Sequence, residues 1–90
     1  MSPTSTIPMS RADLAKVLFT TRLQPSDRPR PEQVRAAVDD RLHTCGGDPI
    51  TYAGLVAQEA GDHPETYAPR MRWALATVAV AYADRMLTAA

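Results

Sequence analysis

One part of this chain carries the residue types that bind transition metals. A single cysteine lies near two histidines and two aspartates, and the set is His43, Cys45, Asp48, Asp62 and His63. Zinc accepts thiolate, imidazole and carboxylate ligands, but structural zinc sites usually draw on closely spaced pairs of Cys and His. This chain lacks that paired spacing. We therefore predict no metal site and interpret Cys45 as a small buried residue at the end of a helix.

Catalytic chemistry has equally little support in the sequence. A nucleophilic Cys45 would need His43 or His63 as its base, and its predicted place at a helix C-terminus disfavours the thiolate. The adjacent carboxylates Asp39 and Asp40 point in different directions on a helix, so they do not form a catalytic pair. No glycine-rich phosphate loop follows a predicted strand. We predict that the protein is not an enzyme and uses no cofactor.

Three arginines in a proline-rich linker are further candidates for contacts with phosphate. They are Arg22, Arg28 and Arg30, and no aromatic residue interleaves with them to stack on bases. Ten basic and ten acidic residues give a formal net charge of zero. No overall field therefore attracts nucleic acid or an anionic membrane. We interpret these arginines as parts of a solvated linker.

Residues 50–75 carry a more suggestive pattern. Small and apolar residues precede a turn glycine, and a proline opens the next helix: Val56, Ala57, Ala60, Gly61, His63 and Pro64. This segment resembles the helix-turn-helix of bacterial transcription regulators, in which the second helix enters the major groove and residues near its start contact bases. The resemblance assigns the DNA face to Glu65, Thr66, Arg70 and Arg72. We expect the fold to tolerate the loss of both arginines.

The elements that must position these residues are helices. Ser10 and Asp13 form a capping box that predicts a first helix over about residues 11–21. Its apolar stripe is Leu14, Val17, Leu18 and Thr21, with Phe19 alongside. Pro31 suits the first turn of a second helix, which Gly46 and Gly47 end. The stripe of that helix is Val34, Ala37, Val38, Arg41, Leu42 and Cys45.

Two further helices are predicted in the second half of the chain. Asp48 and Pro49 begin the third helix, which ends at about Gly61. Its predicted buried side is Ile50, Ala53, Val56, Ala57 and Ala60. Pro64 is expected to open a short helical turn, and Pro69 to cause a break or a bend before the last helix.

The last helix, about residues 69–87, carries the clearest apolar pattern. Met71, Leu75, Val78, Tyr82 and Met86 recur at spacings of four, three, four and four. No charged residue occurs between residues 73 and 83. A helix that is apolar on all sides is central to its bundle or covered by a partner. We predict both, with a shared homodimer core of Trp73, Leu75, Val78, Tyr82 and Met86.

These elements predict an all-α fold, a compact bundle of about four helices plus a short helical turn. Residues 10–90 are expected to form one domain after a mobile tail of residues 1–9. The predicted function is a non-enzymatic protein-interaction or regulatory module that forms a homodimer and binds an unknown protein partner. The alternative is a small helix-turn-helix regulator that binds DNA.

The location and source of the protein are also suggested by composition. The single cysteine, the lack of a secretory signal and the lack of a membrane-length apolar run favour the cytoplasm. Nine of the ten basic residues are arginine and alanine is abundant. In these respects the chain resembles small all-helical proteins of high-GC actinobacteria.

Overall fold

The computed structural model describes residues 9–83, and over that range its regular elements are all helical. They are α1 (Arg11–Phe19), a 3₁₀ turn (Pro25–Asp27), α2 (Pro31–Cys45), α3 (Pro49–Asp62) and α4 (Pro64–Ala81). The predicted all-α bundle is confirmed. Residues 1–8 of the predicted tail lie outside the described residues, as do residues 84–87 of the predicted last helix. Met9, the last residue assigned to the tail, packs against the core.

Helices α1, α2 and α3 begin where local sequence signals predict. The Ser10 hydroxyl accepts a hydrogen bond from the Asp13 backbone N–H, and the Asp13 carboxylate accepts one from the Ser10 N–H, both at 3.1 Å. The Asp48 carboxylate accepts from the Ile50 N–H at 3.0 Å at the start of α3. Both α2 and α3 have a proline in their first turn, where a backbone N–H has no intrahelical partner. The predicted capping box and both prolines are confirmed.

The core lies where the four helices meet. Its fully buried larger side chains are Val17, Leu18, Val34, Val38, Tyr52 and Val78. Helix α1 has only nine residues and buries five of them, because the other three helices surround it. Helix α4 also contacts each of the other helices. Its predicted central position is therefore confirmed.

Helix α4 begins earlier than predicted. It is continuous from Pro64 to Ala81, with Pro69 inside it, so of the break or bend predicted at Pro69 the break is wrong. A proline in a helix leaves the carbonyl four residues before it without a donor, here that of Glu65. Residues 65 and 69 are both exposed. Water can therefore hydrate that carbonyl, and the helix continues.

The buried sides of two helices also differ from prediction. On α3, the buried residues are Tyr52 and Val56, whereas Ile50 is 78% exposed and Ala57 is also exposed. Cys45, predicted to be buried at the end of α2, is exposed. Ile50 and Cys45 flank the loop between α2 and α3. Periodicity alone does not show which residues of a helix its neighbours leave uncovered.

Tyr52 joins α3 to the end of α2. Its ring is fully buried, and its hydroxyl donates to the Gly46 carbonyl oxygen, with the Arg41 carbonyl oxygen at 3.4 Å. Burial raises the pKa of Tyr52; the Cys45 thiol acts in the same direction and the Arg41 charge in the opposite one. The side chain thus supplies a donor to carbonyls at a helix end, where intrahelical donors are missing.

Replacing Tyr52 with Phe is expected to lower the free energy of unfolding by about 1 kcal/mol, because the carbonyl at the end of α2 loses its donor. Because the pKa of Tyr52 is raised in the folded chain, its contribution to stability depends on pH. The stabilisation is complete below the pKa of tyrosine in the unfolded chain and is lost as the pH rises through the folded pKa. The variant should therefore lose less stability than the wild type at alkaline pH. Urea unfolding followed by Trp73 fluorescence at neutral and alkaline pH measures both effects.

Tyr67→Phe is the matched control. It removes the same group but keeps the ring that lies 5.8 Å, centroid to centroid, from the Phe19 ring. Its expected effect on the free energy of unfolding is close to zero. Equal losses in the two variants would contradict the role given to the Tyr52 hydroxyl.

Candidate functional site

The guanidinium of Arg70, on α4, lies at the C-terminal end of α1. Its Nε donates to the Phe19 carbonyl oxygen at 3.2 Å. One Nη donates to the carbonyl oxygens of Phe19, Thr21 and Leu23 at 3.0, 3.1 and 2.9 Å. The guanidinium carbon lies 5.3 Å from the centroid of the Phe19 ring and 5.1 Å from that of the Trp73 ring. Arg70 thus binds α1 and the segment after it to α4.

These bonds supply hydrogen-bond donors to carbonyl oxygens at the end of a helix. Carbonyls at a helix C-terminus lack the usual donor four residues further on, and the helix dipole favours a cation there. The hydroxyls of Thr20 and Thr21 donate to the Val17 and Leu18 carbonyl oxygens, both at 2.7 Å, and Arg70 caps the next carbonyl. Burial lowers the pKa of Arg70, while Glu59 acts in the opposite direction. The side chain keeps its positive charge, because arginine is not deprotonated in proteins.

The four residues assigned to a DNA face have two different environments. Glu65, Thr66 and Arg72 are exposed on the first half of α4, whereas Arg70 is half-buried and bound to carbonyls. The expectation that the fold tolerates loss of Arg70 is therefore revised. His63 is the single residue between α3 and α4, whereas a helix-turn-helix has a turn of about three to four residues.

The five predicted interface residues also separate into groups. Val78 is fully buried and Tyr82 is 7% exposed, both within the core of a single chain. Trp73 is half-buried and packs against that core. Leu75 is 42% exposed. Met86 lies outside the described residues. The structure therefore leaves Leu75 and part of Trp73 accessible to a partner.

One side of α4 remains apolar and accessible, and we call it the α4 outer surface. It consists of Leu75, Ala76, Ala79 and Val80, whose spacing places them on one side of a helix. Val80 is 67% exposed. The buried side of the helix instead uses Ala74, Val78 and Ala81. Leu75 was predicted to belong to the buried stripe, but alanines pack there because small residues let the helices approach closely.

A shallow groove adjoins the α4 outer surface. It has a volume of about 290 Å³ and lies between the start of α2 and α4. Its lining is largely apolar: Pro29, Pro31, Val34, Ala76, Thr77 and Val80. Ala76 and Val80 belong to both features, so the groove and the surface are continuous.

A larger cavity of about 480 Å³ lies beside the C-terminal end of α1. All four helices or their ends line it: Phe19, Thr20, Thr21, Arg41, Leu55, Gln58, Glu59, Thr66 and Arg70. The Nε of Arg41 is buried and makes no hydrogen bond to any of the described residues. The cavity therefore combines apolar walls with charged and hydrogen-bonding groups.

No protein-family model, curated protein or solved structure matches this chain. Function must therefore be inferred from the surface, the groove and the cavity themselves.

Residues 9–83 contain no group of three or more His, Cys, Asp and Glu side chains placed to hold a metal ion. The Nε2 of His63 instead lies 3.8 Å from a carboxylate oxygen of Glu59, and both side chains are exposed. None of the helices in this range has the length and apolar character needed to cross a membrane.

Several residues of these features were missed by the sequence interpretation. Val80 lies outside the predicted stripe, although it belongs to the uncharged stretch of residues 73–83. Arg41 belongs to the predicted stripe of α2, and a charged residue within an apolar stripe is the sequence signal for it. Gln58 and Glu59 carry no local signal that links them to Arg41 or Arg70. Only the packing of α3 against the other helices brings them to the cavity.

Arg70→Met is expected to lower the free energy of unfolding by about 2 kcal/mol, the scale of hydrogen bonds from a charged donor to groups that are then left unpaired. Arg70→Lys should restore only part of this loss, because an ammonium lacks the planar fork that reaches several carbonyls. Arg72→Met, at an exposed position of the same helix, is the control and should change little. Urea unfolding compares the three variants. If Arg70→Met leaves the free energy of unfolding unchanged, the capping role is contradicted.

Proposed function

We propose that the protein is a non-enzymatic interaction module that self-associates through the α4 outer surface. One observation supports this most directly. After the fold has buried Ala74, Val78 and Ala81, the opposite side of α4 still exposes Leu75 and Val80. No charge interrupts residues 73–83 on any side of the helix. A helix that is apolar on its exposed side as well as its buried side is typical of one covered by a partner.

A second copy of the chain suits this surface. In a two-fold dimer the same patch serves both protomers, so an uncharged patch brings no like charges together across the axis. The small side chains of Ala76 and Ala79 let two helices approach closely, and Leu75 and Val80 supply apolar area at the margins. The groove beside Val80 offers a recess for an apolar side chain of the second copy. Such an interface would use Leu75 and Trp73 from the predicted set, with Val80 added.

Val80→Glu is expected to weaken self-association at least tenfold, because burying an unpaired carboxylate costs more than about 1.4 kcal/mol. Ile50→Glu is the matched control. It places the same charge on a side chain of similar exposure, 78% against 67%, on a different helix. Sedimentation equilibrium should find concentration-dependent dimers for the wild type and Ile50→Glu, and monomers for Val80→Glu. Circular dichroism checks that each variant is helical.

A wild-type protein that remains monomeric at high micromolar concentration would refute the proposal. Equal weakening by both substitutions would show that the association, though real, does not use the α4 outer surface in particular.

DNA binding through Glu65, Thr66 and Arg72 is the alternative proposal. Two observations disfavour it: Arg70 is bound to the end of α1, and a single residue separates α3 from α4. The net charge of zero also gives no general attraction to phosphate.

Fluorescence anisotropy of labelled random duplex DNA tests this alternative at about 50 mM and about 200 mM salt, a range over which phosphate contacts weaken strongly. We expect no binding at either concentration. Micromolar binding that disappears at the higher salt and is weakened by Arg72→Ala would favour the regulator instead. Arg72 is the residue to replace, because a change at Arg70 would also alter the fold.

A further inference from the structure

The cavity beside the C-terminal end of α1 is separate from the α4 outer surface and has the features of a small-molecule site. Its volume of about 480 Å³ falls within the range of about 300 to 1,000 Å³ that is common for ligand pockets. Phe19 and Leu55 provide apolar walls. Gln58 and Thr66 provide hydrogen-bonding groups. Ligand pockets combine such walls with a small number of polar groups that fix orientation.

Arg41 distinguishes this cavity from a simple packing defect. Its Nε is buried, and no acceptor among residues 9–83 pairs with it. It also has no ion pair with a carboxylate in that range. A buried donor without a partner is costly, so an unpaired group of this kind in a folded protein requires an explanation. Arg70 lines the same cavity, but its Nε and one Nη already bind carbonyl oxygens. Arg41, which has neither a hydrogen bond at Nε nor an ion pair among residues 9–83, is therefore the less engaged of the two cations, although it also borders a neighbouring groove that contains Asp27 and Asp40.

The charges of the cavity indicate the class of ligand. Two arginines and Glu59 line it, leaving one net positive charge, which one negative charge on a ligand would balance. The planar guanidinium fork matches the two oxygens of a carboxylate. A dianion such as a phosphate monoester would leave an excess negative charge beside Glu59.

We propose that this cavity binds a small organic monocarboxylate, whose carboxylate pairs with Arg41 and whose apolar body contacts Phe19 and Leu55. Because the cavity is lined by parts of all four helices, a ligand there binds the folded chain and not the unfolded one. Binding therefore raises the midpoint of thermal unfolding. This inference does not depend on self-association, since the α4 outer surface shares no residue with the cavity.

Sodium benzoate is the probe, and benzamide, which has the same ring but no charge, is the control ligand. The ¹⁵N-labelled full chain is titrated with each compound to millimolar concentration, and backbone amide shifts are followed by NMR. We expect benzoate to shift the amides of Thr20, Leu55, Gln58 and Thr66 with a saturable dependence, while the amide of Ile50 remains unchanged. Benzamide should produce no saturable shift. Benzoate, but not benzamide, should also raise the midpoint of thermal unfolding.

Arg41→Met tests the assignment of the carboxylate, because methionine keeps much of the apolar stem and removes the donors. Benzoate binding should weaken at least about tenfold in this variant. Its unfolding midpoint without ligand should not fall below that of the wild type, since the Arg41 Nε has no hydrogen-bond partner among residues 9–83 to lose. Arg72→Met, which changes an exposed arginine outside the cavity, should bind benzoate like the wild type.

Three results would overturn the proposal: no saturable shift with benzoate, an equal response to benzamide, or undiminished benzoate binding by Arg41→Met. If Arg41→Met does not fold, the comparison of benzoate with benzamide on the wild type still decides the question.

Discussion

The hydrogen bonds from Arg70 to the carbonyl end of α1 are the interaction on which the arrangement of the helices most depends. Helix α1 has nine residues, which is too short for a stable helix without tertiary contacts. Arg70 binds its last carbonyl and the two carbonyls of Thr21 and Leu23 beyond it. This contact fixes α4 against α1. With α4 held in this orientation about its axis, Ala74 and Val78 face the core and Val80 faces outward.

Side chains from other helices also cap the C-terminal ends of α2 and α4. Tyr52 of α3 donates to a carbonyl at the end of α2, and Arg35 of α2 donates to the Ala81 carbonyl at the end of α4 at 2.8 Å. The C-terminal ends of α1, α2 and α4 are therefore each capped by a side chain from a different helix. A domain of this size buries relatively little apolar surface, and its core here is built largely from valine and alanine. Polar contacts between helices thus help to define one arrangement.

The two arginines of the cavity differ in whether their donors are used by the fold. Arg70 and Arg41 line one cavity, yet the first caps a helix and the second has a buried donor that no acceptor among residues 9–83 pairs with. Helix α4 shows a similar division, because one side completes the core and the other remains apolar and accessible. The proposals for self-association and for carboxylate binding each begin at a group that the fold of one chain leaves unsatisfied or uncovered.

The sequence alone determined the helical class, the starts of α1, α2 and α3, and the uncharged character of residues 73–83. These features depend on contacts within a few residues, such as the bonds between Ser10 and Asp13. Only the tertiary structure decided that α4 continues through Pro69, that Tyr52 and not Ile50 is buried, and that Arg70 caps the C-terminal end of α1. Those outcomes depend on residues far apart in the chain, as in the bond from Arg70 to Phe19 across 51 positions. Periodicity gives the sides of a helix, but the neighbouring helices determine which side is buried.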